Sequence, residues 1–65
     1  MPLSGKEIVR LLKQDGWVLV RISGLHHIMK KADREVSVPV HGNHSLGVGL
    51  ERKILKFTGV RKHTP

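Results

Sequence analysis

Apolar residues return along the first stretch of the chain at helical spacing. Ile8, Leu11 and Leu12 fall at i, i+3 and i+4, while Lys6, Arg10 and Lys13 take other faces, as one apolar side of an α-helix requires. Ser4 followed three residues later by Glu7 reads as a capping box, in which hydroxyl and carboxylate each satisfy a free backbone N–H. Gly16 suits the left-handed position just past a helix end. These signals predict a helix over roughly 5–15. The run Trp17-Val18-Leu19-Val20-Arg21-Ile22 is rich in β-branched residues and reads as a strand. Ser23-Gly24-Leu25 is a turn, and residues 26–31 continue as a second strand. The polar Ala32-Asp33-Arg34-Glu35 makes another reversal. Val36, Val38 and Val40 then alternate with Ser37, Pro39 and His41, a strand with one apolar face. Pro39 has no N–H to give a ladder, so this strand lies at an edge or ends there. Residues 41–45 read as loop. Leu50, Ile54 and Phe57 at i, i+4 and i+7 mark a second helix over roughly 47–58, closed by Gly59.

The predicted order is helix, three antiparallel strands, helix. A three-stranded meander has one face that must be covered, and two flanking helices can cover it, which makes a two-layer α+β fold. Its core is expected from the two helical stripes and from Val36, Val38 and Val40. The inward face of the second strand stays open, because the neighbours Ile28 and Met29 are both apolar. In either case His26 and His27 point to opposite faces, since side chains alternate along a strand. A chain of 65 residues is read as one domain over residues 1–60, with 61–65 as a flexible tail.

Composition removes several classes. Apolar residues make up 38% of the chain and its longest uninterrupted apolar stretch is residues 17–20, far too short to cross a membrane. Lys6, Glu7, Arg10 and Lys13 break up the start where a signal peptide would need an apolar core. With no cysteine there is no disulfide, and the expectation is a soluble cytoplasmic protein. Charge then points to a partner. Twelve Lys+Arg against five Asp+Glu give +7, and such a surface attracts polyanions by releasing their counterions. One Trp, one Phe and no Tyr leave no aromatic platform for single-stranded RNA, so recognition would be electrostatic and shape-based. Trp17 is expected to pack where helix turns into strand. Arg52, Lys53 and Lys56 give the second helix a basic face.

Gly24-Leu25-His26-His27 is where chemistry enters. RNA carries its own nucleophile, the 2′-hydroxyl, beside the phosphodiester. An imidazole, with an ordinary pKa of about 6.5, can take that proton as a general base. Attack on phosphorus expels the 5′-oxygen and leaves a 2′,3′-cyclic phosphate, with Arg21, Lys30 or Lys31 placed to stabilise the developing charge. No metal and no cofactor is needed, and DNA, lacking the 2′-hydroxyl, would not be cut. His27 and His41 are candidates for RNA contact or for a second proton transfer. A zinc site on His26, His27, His41 and His44 is a poor fit, because the spacing is unlike the usual patterns and strand neighbours do not readily share one ion.

Ser4-Gly5-Lys6-Glu7 opening a helix, Gly16-Trp17 entering a strand, Gly24-Leu25-His26-His27, Val38-Pro39-Val40-His41 and a closing Ile54-Leu55-Lys56 together resemble the HicA family. The resemblance covers residues 3–60. It implies a small mRNA interferase toxin of a prokaryotic toxin–antitoxin pair with a double-stranded-RNA-binding-domain-like fold, partnered by a HicB-type antitoxin. It also implies that His26 is the catalytic residue. Two positions depart from the family's usual pattern: Leu25 stands where a small residue is usual, and Val48-Gly49 where a Pro-Gly pair starts the second helix. A non-catalytic double-stranded-RNA-binding module on the same fold is the alternative.

Overall fold

The structure is a computed structural model and describes residues 3–61, so 62–65 of the expected tail lie outside the described residues. Its elements are α1 (Gly5–Gln14), β1 (Val18–Ser23), β2 (His26–Lys31), β3 (Arg34–Pro39) and α2 (Val48–Thr58). The strands form one antiparallel sheet in the order β1-β2-β3, with β2 central. This is the two-layer α+β arrangement expected, helix, three strands, helix.

The start of α1 follows from the sequence. Glu7 N donates to Ser4 Oγ at 3.3 Å and Ser4 N donates to Glu7 Oε1 at 2.9 Å, the reciprocal pair of a capping box. Gly5 has a second constraint. A Cβ there would overlap the Pro39 carbonyl oxygen and lie 2.9 Å from Val40 Cα, so only glycine lets the first turn of α1 rest on the end of β3. At the other end Gly16 takes φ +98°, and Trp17 N donates back to Leu12 O at 2.9 Å, folding the chain onto α1 before β1 begins.

Ile8, Val9, Leu12, Trp17, Met29, Val38 and Ile54 make one buried cluster, with Val36 and Val40 packed against it. Ile28 and Met29 are both buried, but only Met29 joins the cluster packed on the helices, so its face of β2 is the inward one. Trp17 is buried, as expected from its place between helix and strand. Leu11 is only half-buried, and Val9 takes the place expected for it in the inward stripe of α1.

Both reversals are tighter than expected. Gly24-Leu25 alone joins β1 to β2, with Gly24 at φ +59° in the first central position, as a two-residue hairpin of type II′ needs. Ala32-Asp33 alone joins β2 to β3, with Ala32 at φ 55°. β3 therefore starts two residues earlier than Val36, and Arg34 and Glu35 pair with Lys31 and Lys30. It ends at Pro39 and lies at the sheet edge, as a residue without an N–H requires, and Val40 N just beyond it still donates back toward β2.

The apolar stripe expected on α2 is corrected by the structure. Glu51, Ile54 and Thr58 face inward, while Leu50 and Phe57 are 38% and 47% exposed. The rotation has polar causes. The Glu51 carboxylate accepts from Leu3 N, and Thr58 Oγ1 donates to Ile54 O at 2.9 Å, so both polar side chains are satisfied where they are buried. Phe57 is held outside by Arg34. That guanidinium lies 5.5 Å from the Trp17 ring centre and 5.6 Å from that of Phe57, and its Nη1 donates to Phe57 O at 2.9 Å. Leu50, Phe57, Val36 and Lys53 border a shallow apolar groove between β3 and α2. No helix among the described residues is long and apolar enough to cross a membrane.

Candidate active site

The two helices share one sheet face, and among the described residues no element packs on the opposite, open face. Alternation along β2 puts His27, Met29 and Lys31 on the helix side and His26, Ile28 and Lys30 on the open side. His26 is the first residue of β2, directly after the Gly24-Leu25 turn, and is exposed. Ser23 and Pro39 flank it across the sheet. Its Nδ1 lies 3.2 Å from Ser37 Oγ on β3. Leu25 contributes its backbone as well as its exposed side chain: its carbonyl accepts from Val40 N at 2.7 Å and ties the end of the hairpin to the chain leaving β3.

A bulge decides where Arg21 goes. Leu19 pairs with Met29, but the next pairing is Arg21 with Ile28, leaving Val20 as the extra residue. Without that insertion Arg21 would pair with His27 and fall on the helix side; with it, Arg21 joins the face of His26. Its Nη1 lies 3.8 Å from Glu35 Oε2 on the far strand, an ion pair reaching diagonally across β2 beside Ile28. Both partners are well exposed, so water screens the pair, and it orients the guanidinium more than it stabilises the fold. Lys30 lies opposite Glu35 on the same face.

Of the residues singled out from the sequence, His26, Arg21 and Lys30 are thus brought to one surface. His27 and Lys31 are not. His27 is half-buried on the helix side, with its Nδ1 enclosed. Lys31 Nζ donates to Asp15 O at 2.6 Å and to Asp15 Oδ2 at 3.1 Å, which fastens β2 to the end of α1. His41 lies beyond β3, where its ring stacks on His44 with centres 5.0 Å apart. Opposite faces keep His26 and His27 from sharing an ion, and among the described residues no three metal-ligating side chains come together. Arg52, Lys53 and Lys56 are exposed on α2.

Ser37 and Glu35 were not singled out by the sequence reading. Ser37 sits in an alternating run where its outward position was legible, but its meeting with His26 depends on the β2–β3 register, which no local pattern displays. What results is an exposed imidazole with one nitrogen engaged, on a face with two cationic side chains and one carboxylate, Glu35, paired to Arg21. Such a surface suits an anionic ligand with an acidic hydroxyl close to its charge.

A family model described as HicA toxin of bacterial toxin-antitoxin matches residues 5–60. No curated protein matches the chain.

Proposed function

This chain belongs to the HicA family of toxins of bacterial toxin–antitoxin systems, and we propose that it acts there as a metal-independent endoribonuclease that cleaves mRNA. The observation that supports this most is the placement of His26. It stands exposed on the open sheet face with Nδ1 turned to Ser37, so its other nitrogen is available to substrate.

The chemistry follows from RNA itself. His26 removes the 2′-hydroxyl proton, and the resulting oxyanion attacks the adjacent phosphorus. The 5′-oxygen leaves with a proton from water and the His26 imidazolium returns its proton to water, giving a 2′,3′-cyclic phosphate and a 5′-hydroxyl. Negative charge grows on the non-bridging oxygens, where Arg21 and Lys30 on the same face are the cations available to stabilise it. Lys31 is held by Asp15 and His27 is turned to the helix side, so neither is given a part in this step. Seven net positive charges draw the RNA to the protein irrespective of sequence. Acting on mRNA places the protein in the cytoplasm, and a HicB-like antitoxin that covers the open face over His26 would silence it.

Cleavage of a defined RNA in EDTA tests the reading. The wild-type protein is expected to cut and His26→Ala to bind without cutting. Equal binding by both with cleavage by neither would establish the non-catalytic RNA-binding alternative instead. Cleavage abolished by EDTA would overturn the metal-free mechanism.

A further inference from the structure

A neutral imidazole carries one proton on either nitrogen, and only the bare nitrogen can take another. In this structure the two nitrogens of His26 are not equivalent. Nδ1 lies 3.2 Å from Ser37 Oγ, and the Nε2 edge of the exposed ring is turned from that contact. Register brings the two together: Pro39 is opposite His26, and Ser37, two residues back on the same face, is its diagonal neighbour. Ser37 is also well anchored. Its neighbour Val38 is fully buried and Val36 packs on the core, so the backbone that carries Oγ is fixed by the valines on either side.

We propose that Ser37 is a positioning residue for His26, accepting the Nδ1 proton and thereby holding the tautomer whose Nε2 is bare toward substrate. This rests on the reading of His26 as the base. A hydroxyl oxygen suits the task because it accepts from Nδ1–H both in the neutral ring and in the imidazolium formed when Nε2 takes the 2′-hydroxyl proton. The ring keeps its orientation through the step. A carboxylate in the same place would hold the ring as firmly but would also favour the imidazolium before any substrate proton had moved. A neutral acceptor orients without filling Nε2.

Ser37→Ala removes the acceptor at an exposed position and leaves the core side chains untouched. Two readouts are needed: long-range 1H–15N correlation of the neutral His26 ring, and single-turnover cleavage of a short RNA with its affinity measured separately. The wild-type ring is expected to carry its proton on Nδ1. In Ser37→Ala the two tautomers mix and cleavage falls about fivefold, the size of one lost neutral hydrogen bond, with RNA affinity unchanged. Ser37→Thr, which keeps the hydroxyl and suits a strand, restores both. An unchanged tautomer in Ser37→Ala overturns the role, and so does a mixed tautomer with undiminished cleavage. Wild-type cleavage by His26→Ala overturns the base reading instead, and the ring spectra, which need no activity, keep the two failures apart.

Discussion

Adding one methyl group at Gly5 should cost this protein much of its stability, although the position opens a helix. The new Cβ would overlap the Pro39 carbonyl oxygen and lie 2.9 Å from Val40 Cα, where ordinary contact begins near 3.4 Å. Val40 must retreat by about half an ångström (3.4 less 2.9) and the Pro39 carbonyl by more. Neither is the pliant end of a side chain. The end of β3 therefore moves off α1, at the overpacking cost of about 2 kcal/mol. A domain this small unfolds in urea with a slope of about 1 kcal/mol per molar, so Gly5→Ala should lower the midpoint by about 2 M with the slope unchanged. Gly49→Ala is the control. It adds the same methyl in the first turn of α2, where nothing lies within 4 Å, and should raise stability by up to about 1 kcal/mol through helix preference. Circular dichroism at 222 nm follows both variants. A Gly5→Ala midpoint within about 0.3 M of wild type, a small part of the overpacking cost, would refute the close approach of α1 to β3.

Three further outcomes are expected. Ser4→Ala removes the acceptor for Glu7 N and should cost about 1 kcal/mol in the same urea titration, with Ser4→Asp retaining most of the stability. Arg34→Lys should lower the thermal midpoint by about 5 °C, on the order of 1 kcal/mol for a domain this size, because a compact ammonium replaces the planar group lying near both the Trp17 and Phe57 rings; differential scanning calorimetry measures it. Arg21→Ala and Lys30→Ala should each reduce the salt dependence of RNA binding by about one unit in fluorescence anisotropy, whereas Lys31→Ala, whose ammonium is occupied by Asp15, should change it less and lower stability instead.

Local chemistry alone determined a good part of this protein. Hydroxyl and carboxylate three residues apart define the start of α1, Gly24 marks the hairpin, and Pro39 confines β3 to a sheet edge, because each acts through bonds or clashes within a few residues. Alternation was enough to part His26 from His27, and charge count to indicate a polyanion. Tertiary structure decided what needs a partner distant in the chain. Ile28 and Met29 are equally apolar and both buried, so only packing against the helices could choose Met29. The stripe on α2 turned because Leu3 N and Arg34, far off in sequence, satisfy Glu51 and hold Phe57 outside. At the candidate site, one extra residue in β1 carried Arg21 to the face of His26, inward packing of Met29 left Lys31 on the helix side where Asp15 holds it, and strand register brought in Ser37. A strand's side chains repeat every two residues, so a shift of one residue in pairing reverses every face. Composition therefore supplied the basic residues and the histidine, and sheet register selected which of them share one surface.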